Sequence, residues 1–292
     1  DRLRSRGLGD VYKRQLKELP THSLENLLQG HMAGVEISNI SGSPGGGGSL
    51  VAIRGYNSLF VEGEGDDRNY GTPLYVIDGV PMQSFTSPVT GSNTLSDLDP
   101  SMIESIEVLK DAASAAIFGM RGANGVIVIT TKRGTDGKAS IKYSGSVSIQ
   151  SPTKLPEFAN SYDYARLANQ YFGSEIYSAE AIQKYKDGSD PELYPNTNWY
   201  DEMLTKNAIQ NQHNISISGG NEKIRYYVSG GFLNQGGLWE DLNYKRYNLR
   251  SNIDAQITKT TRLGVDVSGR LEKSLNSGSS YTIFKELVRN TP

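Results

Sequence analysis

Two unlike regions are legible in the 292 residues. Residues 16–133 read as a small mixed α/β domain, and residues from 139 onwards as long antiparallel strands that fit a membrane β-barrel. Three observations predict this. Short apolar runs in the first region are punctuated by Gly, Pro and Asp-Gly turn signals. Residues 139–150 then alternate apolar and polar without a break, as a strand with two different faces must. Finally, the connections between such strands are short and long by turns, which is the habit of outer-membrane barrels.

The first fifteen residues, DRLRSRGLGDVYKRQ, carry five basic side chains and no apolar periodicity. They read as non-native, adaptor-derived sequence and are set aside. A secretory leader would continue into an apolar stretch of ~7–15 residues, which Leu16 to Gly30 does not supply. Within 16–133, Ser23 is placed to cap a short helix with Leu24, Leu27 and Leu28 on one face and Gly30 near its end. Val35 and Ile37 alternate with polar neighbours. SGSPGGGGS (41–49) must be a loop, Leu50 to Arg54 a strand, and Tyr56 to Thr72 a long polar loop. Leu74 to Ile77 reads as a buried strand closed by Asp78-Gly79. Asp99-Pro100 opens another ordered stretch, and Ile106 and Val108 suggest a strand. Asp111 is placed to cap a helix over DAASAAIFG, and GVIVITT (125–131) is the strongest central strand.

In the second region, Ala139, Ile141, Tyr143, Gly145, Val147 and Ile149 alternate with Ser140, Lys142, Ser144, Ser146, Ser148 and Gln150. The pattern returns around Tyr247 to Ile257 and Leu263 to Leu271, and more weakly at 215–219 and 224–232, giving five strands. Their length suits the ~9–11 residues that cross hydrocarbon better than the ~5–6 of soluble sheets. A soluble sandwich with one wet face would alternate too, and the strands alone leave that reading open.

Composition excludes several chemistries. Lys plus Arg is 30 against 32 for Asp plus Glu, so a general nucleic-acid binder is a poor fit. Cys is absent, which removes disulfide scaffolds, Cys-bound zinc, iron–sulfur clusters and thiol catalysis. His22, His31 and His213 lie far apart and show no metal-ligand spacing. The Gly-rich segment lacks the Lys-Ser/Thr of a phosphate loop, and no cofactor is indicated. Glu62, Glu64, Asp66 and Asp67 could ligate calcium, but a solvated loop explains them as well. No G-x-S-x-G, H-E-x-x-H or evident carboxylate pair points to an enzyme.

Three segments carry a resemblance: LQGHMAGVEISNISGSPGGGGSLVAIRGYNS, GTPLYVIDGVPM and LSDLDPSMIESIEVLKDAASAAIFGMRGANGVIVITTKRG. Together they resemble the plug domain of SusC/RagA-type TonB-dependent outer-membrane transporters. NQHNISISGGNEKIRYYVSGGFLNQGG and YKRYNLRSNIDA are similar to the first barrel strands of that family. The resemblance implies an α+β plug domain at 16–133, a linker at 134–138, and at 139–292 the first five of about 22 antiparallel strands of an outer-membrane β-barrel. At roughly 31 residues per strand, such a barrel needs on the order of 680 residues, so a fragment is expected, without signal peptide or TonB-contacting segment.

The resemblance also implies a function. Proteins of this kind import oligosaccharides or peptides beneath a SusD-like surface lipoprotein, energised by the TonB–ExbB–ExbD complex. The apolar strand face then meets outer-membrane lipid, the polar face meets plug and lumen, and the loop 151–207 is extracellular. In that loop, helical pieces around Asp163 to Tyr171 and Ala179 to Lys186, with Tyr194, Trp199 and Tyr200, either contact the lipoprotein or fold the loop on itself. Loops 56–70 and 83–95 would face the outer cavity, making Tyr56, Asn57, Phe60, Tyr70 and Phe85 the substrate-contact candidates, since aromatic rings stack on sugar faces. The alternative is a soluble or surface carbohydrate-binding or adhesion module without transport.

Overall fold

The computed structural model describes residues 24, 28–39, 42–45, 49–55, 72–82, 98–239, 241–275 and 280–292. Contacts divide the chain into two units. The first comprises Asp1–Val147, Asn211–Gln235 and Tyr244–Ser274, and the second Ser148–Gln210, Gly236–Asn243 and Leu275–Pro292.

In the first unit, β1 (Val35–Asn39) and β2 (Ser49–Ile53) form an antiparallel ribbon. A separate four-stranded sheet has the order β4-β3-β6-β5, from β3 (Leu74–Ile77), β4 (Val80–Met82), β5 (Ile103–Leu109) and β6 (Val126–Thr131). β3 runs parallel to β6, and the other pairs are antiparallel. Alternation sends Tyr75, Ile106, Ile127 and Ile129 to one side, where they pack with Leu24, Leu28, Ile37, Val51 and Ile53. Leu74, Val76 and Val126 pack on the other side with Ala115, Leu109, Phe118 and Val128. A strand covered on both faces must be apolar throughout, which explains the unbroken run in GVIVITT.

Turn chemistry fixes the chain path. Asp78 and Gly79 have φ of 49° and 86°, the pair of positive angles that a two-residue hairpin with the right twist demands. The expected single helix after Asp111 is instead a short α1 (Ala112–Ala115) followed by a 3-10 segment, Ala116–Gly122. Gly119, at φ 59° and ψ −146°, breaks it. Asp111 does not cap α1, because Arg54 takes its carboxylate. Asp99 does cap the 3-10 turn Pro100–Met102, and β5 starts at Ile103, earlier than the alternation suggested.

The five long strands are β7 (Gly137–Gln150), β8 (Ala208–Gly220), β9 (Ile224–Gly236), β10 (Asn243–Gln256) and β11 (Arg262–Leu275). They form one meander, β11-β10-β9-β8-β7, which does not close among the described residues. Asn221 Oδ1 accepts from the Lys223 and Ile224 amides, each at 2.9 Å, to make the tight β8–β9 turn. Thr258 Oγ1 does the same for the Thr261 amide at 3.0 Å in the β10–β11 turn.

The faces are reversed relative to a soluble sheet. On β10, Arg246, Asn248, Arg250 and Asn252 are buried, while Tyr247, Leu249 and Ile253 are 47%, 58% and 40% exposed. Ile141, Tyr143, Val147 and Ile149 on β7 are all about 70% exposed. This reversal rejects the one-wet-face sandwich and fits strands that present their apolar side to lipid. Tyr143, His213, Phe232 and Tyr247 form an aromatic row across β7–β10, with successive ring centroids 6.2, 6.4 and 5.0 Å apart. Among the described residues no helix is long and apolar enough to cross a membrane, which says nothing about strands.

The second unit holds α2 (Ser161–Phe172), α3 (Ala179–Asp187), α4 (Trp199–Met203) and α5 (Ser280–Arg289). Asn160 and Ser178 cap α2 and α3, which end at Gly173 and Gly188 in the left-handed region. β11 ends at Leu275, and within 139–292, the stretch expected to hold the first barrel strands, residues 280–289 are helical as α5.

Where Arg133 leads towards β7, Gly134 lies against the β9 backbone. A Cβ there would stand 2.3 Å from the Tyr226 nitrogen and 2.5 Å from its oxygen, atoms that cannot swing away. Gly134→Ala is expected to destabilise this junction by about 1–3 kcal/mol, the usual cost of overpacking. Limited proteolysis at 134–138 checks it. Unchanged resistance would show that the junction is loose.

Candidate functional site

The polar face of the strands is a seat for the mixed-sheet domain, and three ties within the first unit make it. The first starts at the β3–β4 hairpin. Asp78 accepts from the Thr131 amide at 2.8 Å and from its Oγ1 at 2.6 Å, fastening the hairpin to the end of β6. The same carboxylate pairs with Arg250 of β10, and both side chains are nine-tenths buried. Arg250 Nε also donates to Asn252 Oδ1 at 3.3 Å.

The second tie is Asp99. Its Oδ1 caps the Ser101 amide at 2.8 Å, while Oδ2 accepts from Gln212 Nε2 on β8 at 3.1 Å. Arg246 of β10 lies 3.4 Å from Oδ2, and the two side chains are 3% and 2% exposed. Beside them, Gly231 leaves room on β9, where a Cβ would stand 2.6 Å from Asn214 Oδ1. Asn214 Oδ1 and Asn248 Oδ1 are buried there and meet no donor among the described residues.

Arg133 is the third tie and reverses the polarity. Its guanidinium forks between Asp254 of β10 at 3.1 Å and Asp266 of β11 at 3.0 Å. Burial works against its charge, but Asp266 and Asp254 outweigh that effect and hold it above the ordinary arginine value. Asn252 Nδ2 donates to Asp266 Oδ1 at 2.7 Å, joining this fork to the Asp78–Arg250 neighbourhood. Gly45, in the loop after β1, adds a smaller contact by donating its amide to Gln235 Oε1 at 3.0 Å.

The sequence placed Arg246, Arg250, Asp254 and Asp266 on the polar face and Asp78 and Asp99 at turns, yet gave no sign of their pairing. The candidates Tyr56, Asn57, Phe60, Tyr70 and Phe85 lie outside the described residues, as do Glu62, Glu64, Asp66 and Asp67. Arg54 and Gly55, at the end of the described stretch 49–55, have φ of 59° and 84°. Arg54 borders a cavity of about 340 Å³ that Ile53, Lys110, Asp111, Asn124 and Gly125 also line. No group of three or more His, Asp or Glu among the described residues could hold a metal ion.

In the second unit, Tyr194 packs edge-on against Tyr185 at 5.4 Å, and Tyr185 against Tyr177 at 6.2 Å. Burial raises the Tyr177 phenol above its ordinary value. Tyr200 is buried on Phe158 at 5.1 Å, and Trp199 Nε1 donates to the Thr291 carbonyl at 2.7 Å. Tyr194, Trp199 and Tyr200 therefore fold their own unit together. Tyr164, Leu167, Tyr171 and Phe172 of α2 are exposed.

Residues 9–126 match the family model of the TonB-dependent receptor plug domain. A TonB-dependent receptor of Formosa agariphila is 34% identical over 253 residues, covering 85% of this chain and 23% of that protein. The TonB-dependent receptor SusC of Bacteroides thetaiotaomicron is 34% identical over 235 residues, covering 80% of this chain and 21% of its own length. The chain thus spans less than a quarter of these two relatives. Among solved structures, the RagAB peptide importer in its closed-closed state aligns over 94% of this chain and 32% of its own, at 26% identity and a TM-score of 0.72. The siderophore receptor PirA of Acinetobacter baumannii, at 17% identity and a TM-score of 0.56, shares the fold alone.

Proposed function

The chain belongs to the SusC/RagA-type TonB-dependent receptors, and from that premise we propose that the complete receptor imports nutrient oligomers across the outer membrane. One observation carries this reading: a sheet with its apolar side outward holds an α/β domain by buried ion pairs on its polar side. A wall that is apolar outside and charged inside suits a hydrated passage through lipid, and a domain seated by ion pairs suits a stopper that must later move. An adhesion module needs no such reversed wall.

The plug is assigned to 16–133 and the linker to 134–138, of which Gly137 and Lys138 already belong to β7. A SusD-like lipoprotein covers the outer side, and the TonB–ExbB–ExbD complex supplies the energy. The cargo is an oligosaccharide or a peptide, the latter being what the RagAB importer is named for. Tyr56, Asn57, Phe60, Tyr70 and Phe85 are proposed to meet it. The receptor catalyses no reaction in this reading.

Deleting the gene for the complete receptor should abolish growth on one class of oligomer, and deleting tonB should do the same. Uptake that survives loss of TonB would overturn the reading. The plug boundaries carry their own expectation. Leu16 to Arg133 expressed alone should unfold cooperatively, because its sheet already has apolar layers on both faces. A disordered-chain NMR spectrum would refute that.

A further inference from the structure

The outward side of the five-stranded sheet is apolar with one charged exception. Its outward positions, in step with Ile141, Ile215, Val228, Leu249 and Val265, hold no acidic residue and no arginine on any strand. They hold two lysines, Lys245 on β10 and Lys273 on β11. The two strands are equally long, and in the turn between them the Ile257 amide donates to the Thr261 carbonyl at 3.0 Å. That register sets Asn252 opposite Asp266, whose side chains bond at 2.7 Å, and it sets Lys245 opposite Lys273. Like charges that face each other across a strand pair are destabilising. Neither lysine side chain has a partner among the described residues to offset this.

The level at which the pair stands is marked independently. Lys245 lies one outward position beyond Tyr247, the last ring of the row Tyr143, His213, Phe232 and Tyr247. Because the meander runs up and down, Lys273 beyond Leu271, Asn211 beyond His213 and Asn234 beyond Phe232 lie on the same side of that row. On its other side the outward positions of β8 to β11 carry no charged or amide side chain. A change from apolar to polar across a line of aromatic rings is how a barrel wall leaves hydrocarbon for headgroups. A lysine at that level lays its stem on apolar surface and sends its ammonium outward. Lys273 is exposed and Lys245 half-buried, as such a posture requires. Resting on the reading of this face as a membrane wall, we propose that Lys245 and Lys273 together bind the phosphate of an anionic lipid headgroup. The phosphate stands between the two ammonium groups and cancels their repulsion. It also fixes the depth at which this part of the wall sits.

Lysine acetylation by a membrane-impermeant reagent, read residue by residue by mass spectrometry, tests this on the complete receptor. At fixed ionic strength, the receptor is held in nanodiscs of phosphatidylcholine, or of equal parts phosphatidylcholine and phosphatidylglycerol. Lys223, exposed in the β8–β9 turn at the other end of the strands, reports the slowing that any anionic surface causes. Beyond that change, Lys245 and Lys273 should each react about fivefold more slowly in the anionic discs, the usual gain of one lysine at an anionic headgroup. K245Q should release Lys273 from the slowing and K273Q should release Lys245, which simple burial in lipid would not do. Inorganic phosphate added to the phosphatidylcholine discs should leave both rates unchanged. Slowing no greater than that of Lys223, or equal rates in the two discs, overturns the proposal. Protection by inorganic phosphate that matches the anionic lipid overturns it too, in favour of a soluble anion. TonB-dependent uptake alongside any of these results leaves the import reading standing. Uptake that ignores TonB, with the selective slowing intact, would sink that reading and keep the headgroup site.

Discussion

Replacing Val147 or Val265 by Arg in the complete receptor should sharply reduce the amount that assembles in the outer membrane. Both side chains stand on the outward face, 71% and 42% exposed, among other apolar residues. An Arg near mid-bilayer on the lipid face of a barrel costs ~2–4 kcal/mol, several times RT, and the assembly step has to absorb it. The same substitution at Ser148 or Ser268, one residue further along each strand, turns the guanidinium to the polar side and should assemble normally. Heat-modifiable mobility of the membrane fraction on a gel reads out the folded amount for all four variants. Equal assembly of all four would mean that the apolar face does not meet lipid.

That contrast between neighbours could be read from sequence because strand parity is local. Each residue of β7 declares its side by the residue beside it, so Ile141 and Lys142 were sorted before any partner was known. The same is true of Asp78-Gly79, whose turn geometry depends on two residues. The misses share a different physics. Asp111 looks like a helix cap, but Arg54, 57 residues away, claims its carboxylate, and α1 stays short. On β8 the alternate positions Asn211 and His213 are polar like the buried Gln210 and Gln212, so the first half of that strand lacks the contrast that marks β10. The ion pairs of the seat were hidden for the same reason. Arg250 and Asp78 are 172 positions apart, and a charged residue on a polar face reads identically whether it meets water or a buried partner.

Arg250→Ala should weaken the seating of the plug by about 3–5 kcal/mol, because it leaves the Asp78 carboxylate buried without its counter-charge. Asp78→Ala should do at least as much damage, since it strands Arg250 and also removes the acceptor for Thr131 N–H and Oγ1. Exchanging both for apolar residues of similar volume, Asp78→Leu with Arg250→Met, should recover much of the loss, because no charge is then left desolvated. Urea titration of plug release, followed by protease access to the β3–β4 hairpin, gives the four corners of the cycle. A positive coupling above about 1 kcal/mol is expected for groups in direct contact. If the single variants release the plug at the wild-type urea concentration, the Asp78–Arg250 pair bears no part of the seat. If the apolar pair releases it as early as the singles, the seat depends on charge itself rather than on avoiding a stranded one.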